Sequence, residues 1–293
     1  MRILMIGENS FIGENFKNYS CYRTINVASL KTRTAEMIDY SQYDVILFLA
    51  AIVHRRNKIP YNVYKSINID LPVKAASLAR GSGVRQFIFM SSVSVYGNYK
   101  SKSIVFDERT PCSPITAYGR SKLEAEIKLN KLNTPDFSVS IIRSPLIYGE
   151  HVKGNMYDLI RLVDNFSLLP FADIRNHRSF IAAETLVEYI DRVIKIKAEG
   201  IYLATDPVPV STTKLVELIA KYLNKKVLLF KLPGFLIKLS SLLKPDAFEK
   251  LFGSFVLDNS QTLQKLNFSP EMKIEESFRK MVETYMEMKT QKR

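Results

Sequence analysis

The run Val45-Ile46-Leu47-Phe48-Leu49 is apolar at every position, without the alternation of a half-exposed strand. Such a strand must be covered on both faces, as inside a parallel sheet with helices above and below. It belongs to a series of short runs that read as strands: Ile3–Ile6, Thr24–Ala28, Val45–Ala50, Gln86–Ser91 and Ser138–Arg143. Between them, helical periodicity falls near residues 12–19, 62–80 and 116–132. Strands alternating with helices predict an α/β chain built on a doubly wound parallel sheet.

After about residue 150 the rhythm changes. Helical patterns around 155–165 and 184–197 precede a short strand over Gly200–Thr205. Pro207 and Pro209 interrupt the chain, and Ser211-Thr212-Thr213 reads as the cap of a helix over Lys214–Leu223. A Leu-, Phe- and Lys-rich region from 228 to 256 and a last helix over 272–290 complete a smaller mixed α/β C-terminal lobe. The expected division is 1–150 for the first domain, with a return to it around 178–196, and 151–293 mainly for the second lobe. No flexible linker separates them, and a cleft between lobes is the default ligand site.

Composition bounds the partners. With 293 residues, 46% apolar and 24% charged, the chain is an ordinary globular one, large enough for a sizeable core. The N-terminus enters a strand at once without a secretory pattern, and no apolar run approaches the ~18 residues of a spanning helix, so a cytoplasmic location is expected. Cys21 and Cys112 lie far apart, which suits a reducing compartment, and scattered His54, His151 and His177 predict no metal site. The net charge of +13 is spread along the chain with no nucleic-acid-binding motif. It is read as a basic surface that draws in an anionic small molecule rather than nucleic acid. The lysine-flanked apolar stretch at 233–244 has two readings, contact with a membrane surface or a lobe helix packed on the substrate side. The packed helix is the plainer of the two.

Three motifs carry chemistry. In GENSFIG (7–13), Gly7 allows a tight turn after the first strand and Gly13 lets the following helix pack close to it. Ser10 stands where a middle glycine is usual, and its hydroxyl is able to donate to a phosphate; Phe11 and Ile12 complete the loop. After the second strand, no carboxylate follows to hold a ribose 2′-hydroxyl. Ser29, Lys31 and Arg33 stand there instead and suit a 2′-phosphate, so NADP(H) is favoured over NAD. Asp39 before the third strand and Ala50-Ala51 after it are assigned to the same cofactor. For His54, an edge of the cofactor site and a solvated loop are equal readings.

Tyr118 and Lys122 are spaced i, i+4 at the start of a helix and share one face. A free phenol has a pKa near ~10, and an adjacent ammonium and a cationic nicotinamide are expected to bring it toward the working range. Ser92 ends a parallel strand, at the sheet edge where such folds bind ligands. Its hydroxyl is placed to polarise the same substrate oxygen.

Taken together, GENSFIG, DVILFLAAIVH, SSVSVYG, YGRSK, RSPLIYGEHVKGN and NHRSFI resemble the extended short-chain dehydrogenase/reductases, the NAD-dependent epimerase/dehydratase family, over nearly the whole chain. The resemblance implies a Rossmann-type sheet and a nicotinamide cofactor on the first domain. It also implies a catalytic set of Ser92, Tyr118 and Lys122, with Tyr118 and Lys122 also touching the cofactor. Dehydratases of this kind carry an Asp-Glu pair directly after the active-site hydroxyl; here Val93 and Ser94 stand there, so dehydration is not expected. The stretches LIYGEHVKGN and LLPFADIRNHRSFI look most like UDP-glucose 4-epimerase-like proteins, among them reductases of UDP-4-keto-6-deoxy-N-acetylhexosamines used for bacterial surface polysaccharides. The implied reaction is at C4 of a UDP-sugar, by a 4-ketoreductase or a 4-epimerase. Ser92, Ser94, Asn155 and Arg178 are assigned to substrate, with Lys153 beside Asn155 and Arg143 supporting the sheet end. Relatives imply a homodimer. The alternative is a catalytically idle dinucleotide-binding regulator, against which the retained Ser, Tyr and Lys speak.

Overall fold

The computed structural model describes residues 1–53, 59–97, 105–233 and 245–291. Its strands are β1 (Ile3–Ile6), β2 (Ile25–Ala28), β3 (Val45–Phe48), β4 (Gln86–Ser92), β5 (Val105–Phe106), β6 (Ser138–Ser144), β7 (Leu146–Tyr148), β8 (Leu168–Leu169), β9 (Phe180–Ala182), β10 (Gly200–Leu203), β11 (Leu228–Leu229) and β12 (Val256–Leu257). Its helices are α1 (Phe11–Tyr19), α2 (Tyr61–Tyr64), α3 (Leu71–Gly81), α4 (Ala117–Asn130), α5 (Asn155–Asn165), α6 (Ala183–Lys195), α7 (Thr212–Tyr222), α8 (Pro245–Phe252), α9 (Ser260–Leu266) and α10 (Ile274–Thr290). His54 and all but the first residue of the 233–244 stretch lie outside the described residues, and with them both expectations about those positions.

Six strands form one parallel sheet in the order β10-β6-β4-β3-β1-β2. Pattern explains the burial. In β1, Ile3 and Met5 face a core with Phe16 of α1 and Leu186, Val187 and Ile190 of α6. Leu4 and Ile6 face the opposite core, with Ala75, Ala76 and Ala79 of α3 and Ala125 and Leu129 of α4. The alternation repeats in β3 and β4, so the unbroken apolar runs become two-faced strands. The chain builds outward from β1 to β2, then crosses back to β3. That reversal opens a crevice at the carboxyl ends of β1 and β3, where open sheets of this kind seat ligands.

Two expectations change in detail. The strand over 200–205, expected in the second lobe, is β10, the edge strand of the main sheet, paired with β6. Amphipathic α6 is the crossover that returns the chain there, so the return runs past residue 196. The helix expected over 62–80 is interrupted by a π-type turn at Lys65–Asp70, where the Leu71 amide bonds to the Ser66 carbonyl. Pro72 has no amide to give the residue four positions earlier, and the wider turn accommodates the loss.

The second lobe packs α5, α7 and α10 around Ile160, Leu169, Leu218, Phe278 and Met281. It is fastened to the main sheet by Asp206, which follows β10. The Tyr148 hydroxyl donates to its carboxylate at 2.7 Å, and the Ala182 amide donates at 3.2 Å. Burial pushes this carboxyl up to about 6, despite those donors. A folded pKa above the unfolded value means that stability is complete below about pH 4 and is lost as pH rises through 6. Asp206→Asn should remove that slope. The stability of the wild type relative to the variant should fall by about 2–3 kcal/mol between pH 4 and 7, read from urea midpoints.

Candidate functional site

The first loop is shaped by close approach. Gly7 has φ +135°, and a Cβ there would stand 2.9 Å from the Ala50 amide nitrogen and 3.1 Å from the Leu49 carbonyl carbon. β3 ends at Phe48 because the Leu49 and Ala50 amides both turn to the Ile6 carbonyl, at 2.8 and 2.9 Å. A bare backbone cradle therefore lies at the sheet's crossing point, the contour a dinucleotide backbone needs. Ser10 is the N-cap of α1, its Oγ accepting from the Gly13 amide at 3.3 Å, which leaves its proton to donate. Phe11 and Ile12 open the helix behind it. At Gly13 a Cβ would meet the Met5 sulfur at 2.7 Å, so this glycine sets how closely α1 packs on β1.

The other cofactor-side residues are arranged as follows. Ser29 follows β2 and accepts from the Lys31 amide at 3.4 Å, and the Lys31 and Arg33 side chains are exposed. Among the described residues neither has an ion-pair partner. The Asp39 carboxylate turns inward on its own chain, accepting from the Ser41 amide at 3.1 Å and hydroxyl at 2.6 Å, and those bonds hold it below the usual carboxylate range. Ala50 and Ala51 stand half-buried at the crevice.

Three consecutive residues of β4 organise the reactive side. The Met90 carbonyl accepts from Lys122 Nζ at 2.8 Å, the Ser91 hydroxyl donates to Glu126, and the Ser92 hydroxyl lies near enough to Tyr118 to act on its phenol. Ser92 Oγ also donates to Ser94 Oγ at 3.1 Å and accepts from the Ser94 amide at 3.2 Å, forming the turn after the strand. The start of α4, where Thr116 caps the Gly119 amide at 3.0 Å, lies hard against that turn. A Cβ on Gly119 would stand 2.4 Å from the Ser94 carbonyl oxygen.

Electrostatics depart from the sequence expectation. Burial pushes the Tyr118 phenol up to about 12, against the lowering effect of the nearby Ser92 hydroxyl. Burial draws the Lys122 ammonium down to about 7, with Glu126 working the other way. Lys122 lies on the Met90 carbonyl and 4.4 Å from the centre of the Phe89 ring. The expected lowering of Tyr118 by this ammonium is therefore not a property of the protein alone. Tyr118 holds its proton, the form that donates.

The residues assigned to a substrate diphosphate have these partners. Asn155 opens α5 with an exposed side chain, behind the left-handed Gly154. Lys153 reaches the first loop, donating to the Asn9 carbonyl at 3.3 Å. Arg178 Nη1 donates to the Glu249 carbonyl of α8 and the Gly253 carbonyl just beyond it, both at 3.0 Å. A guanidinium suits a helix C-terminus, where the dipole is negative, and this nitrogen is held there by the chain itself.

Two site residues escaped the sequence reading. Asn68, fully buried in the π-type turn, accepts from the Ile52 amide at 2.8 Å and donates to the Ile52 carbonyl and Ser121 Oγ, each at 3.0 Å. It ties the chain after β3 to α4. Glu126 is paired with Arg143 of β6, both 3% exposed. Glu126 was visible as the residue one turn beyond Lys122, but its partner lies on another strand.

A model described as the NAD dependent epimerase/dehydratase family matches residues 3–203, from the first residue of β1 to the last of β10. The UDP-glucose 4-epimerase of Vibrio cholerae is 32% identical over 252 residues, covering 83% of this chain and 77% of that protein. The N-acetyl-alpha-D-glucosaminyl-diphospho-ditrans,octacis-undecaprenol 4-epimerase of Escherichia coli O157:H7 is 28% identical over 253 residues, covering 79% and 75%. Among solved structures, UDP-glucuronic acid 4-epimerase from Bacillus cereus in complex with NAD matches with a TM-score of 0.77 at 17% identity, covering 98% of this chain and 99% of that one, a likeness of fold. Because the match takes in every strand of the main sheet and the Vibrio likeness extends well into the second lobe, the chain belongs to the NAD dependent epimerase/dehydratase family.

Proposed function

We propose that this protein acts at C4 of a UDP-sugar with a nicotinamide dinucleotide, as a 4-ketoreductase in preference to a 4-epimerase, and serves bacterial surface polysaccharide synthesis. The observation that carries the reading is the nearness of Ser92 to Tyr118 at the carboxyl edge of the sheet, with Lys122, one turn along from Tyr118, buried on the Met90 carbonyl. The cofactor supplies hydride exchange with the sugar carbon. Tyr118 gives a proton to the C4 oxygen, Ser92 hydrogen-bonds that oxygen, and Lys122 stands ready to restore the phenol. A phenol that keeps its proton suits the reductive direction, where the oxygen gains one. Val93 and Ser94 offer no acid for elimination, which argues against a dehydratase. The relatives' activities at C4 support the site of reaction.

Lys31 and Arg33 favour NADPH. Their replacement by alanine should raise the KM for NADPH about 10–100-fold, the effect of losing one or two charged hydrogen bonds, and leave NADH nearly unchanged. The test of the whole reading mixes purified protein, NADPH and a UDP-4-keto-6-deoxy-N-acetylhexosamine. Consumption of NADPH one-for-one with a 4-hydroxyl product supports a reductase. Interconversion of C4 epimers on retained NAD makes it an epimerase, and neither activity discards the reading.

A second reading is favoured by one surface. Phe166, Leu168, Leu228 and Phe230 stand on the outer face of the β8–β11 pair, 39 to 68% exposed, with Lys226 and Lys231 exposed beside them. An apolar face with nearby cations suits an anionic lipid surface, where a polyprenyl-diphosphate sugar of the kind named for the Escherichia coli relative would lie. The same assay run with that substrate in vesicles decides it: turnover there and none with UDP-sugar would replace the first reading.

A further inference from the structure

Behind Lys122 lies a charged cluster that the proton transfer above does not use. Arg143 grips Glu126 with Nη2 at 2.6 Å from Oε2 and with Nε at 3.1 and 3.2 Å from the two carboxylate oxygens. Ser91 donates to the same carboxylate. Arg143 Nη1 donates to the Tyr96 hydroxyl at 3.1 Å, and Tyr96 in turn donates to the Asp107 carbonyl at 2.7 Å. Lys122, Glu126 and Arg143 are each 3% exposed. A buried ion pair brings little net stability over well-packed apolar residues, so a cluster this complete beside a reactive lysine calls for another account.

We propose that Glu126, held in place by Arg143 and Ser91, is a positioning residue for Lys122, supplying the compensating charge that keeps the ammonium inside the protein against the Met90 carbonyl. The catalytic meaning of this rests on the reaction proposed above; the charge balance itself does not. Glu126 without Arg143 would pair outright with Lys122 and fix it as a cation. Arg143 without Glu126 would expel the second positive charge. Held by Arg143, Glu126 offsets part of the cost of burying the Lys122 charge without pairing with it outright. The Phe89 ring of β4 lies under the ammonium, and Tyr118, one turn back on the same helix, is itself influenced by Tyr64 of α2. Burial already draws Lys122 down to about 7, and the Glu126 carboxylate is the influence that opposes it.

The test follows Lys122 directly. In full-length protein with 13C-labelled lysine, its Cε resonance is identified by its loss in Lys122→Arg and titrated with and without added NADPH. Glu126→Gln should lower the midpoint by about one unit, and Arg143→Met should raise it by a similar amount. Glu126→Asp keeps the charge and serves as the milder variant should the others not fold; its midpoint should lie between those of wild type and Glu126→Gln. Should the folded variants keep the wild-type midpoint within about 0.2 units, with kcat reduced or not, the cluster is structural only and the proposal fails. The titration needs no sugar substrate, so it stands or falls apart from the proposed reaction.

Discussion

Tyr118→Phe should reduce kcat by about a thousandfold or more, while the affinity for NADPH changes less than about twofold. The substitution removes one oxygen and keeps the ring that packs at the start of α4. Ser92 retains its bonds to Ser94, so the turn after β4 should keep its shape. What is lost is the proton donor, and water in a half-buried site is a poor replacement for a group already hydrogen-bonded at the reacting oxygen. Single-turnover oxidation of NADPH measures the step, and fluorescence titration measures the cofactor. Unchanged turnover would remove Tyr118 from the chemistry, and lost cofactor affinity would make it a binding group instead.

Gly7→Ala should lower stability by about 2–4 kcal/mol and weaken dinucleotide binding at least about a hundredfold. Two independent strains meet there. The backbone sits at φ +135°, which a side chain rarely adopts, and the new methyl would press on the Ala50 nitrogen and the Leu49 backbone. Those atoms end β3, and both amides are tied to Ile6 of β1, so relief means parting two central strands at the crossing point. Denaturant midpoints and calorimetric titration with NADPH read the two effects. Gly81→Ala is the control: nothing lies within 4 Å of its Cβ, so it should leave both nearly unchanged. A Gly7 variant as stable as wild type and still binding NADPH would show that the cradle is not where the dinucleotide rests.

The sequence made the strands legible because each is buried on both sides and so had to be apolar throughout, as Val45–Phe48 is. It also made the loop from Gly7 to Gly13 and the Tyr118–Lys122 spacing legible, since each is local, within one turn of chain. The interruption of the helix at Lys65–Asp70 was written only as Pro72, a residue that ordinarily opens a helix. The placement of β10 at the edge of the main sheet was hidden, because an isolated strand pattern carries no address for its partner.

What the sequence by itself determined is the set of parts: a doubly wound sheet, a glycine loop, and serine, tyrosine and lysine in workable order. Only the tertiary structure decided their electrical state and company. Lys122 was expected to act on Tyr118, and it also lies on the Met90 carbonyl, with Glu126 one turn along its own helix held by Arg143 from β6. Arg178, assigned to phosphate, has one nitrogen held by carbonyls at the end of α8. The reason is physical. Local spacing fixes which face of an element a side chain occupies, but a buried charge is set by desolvation and by partners from elsewhere in the chain.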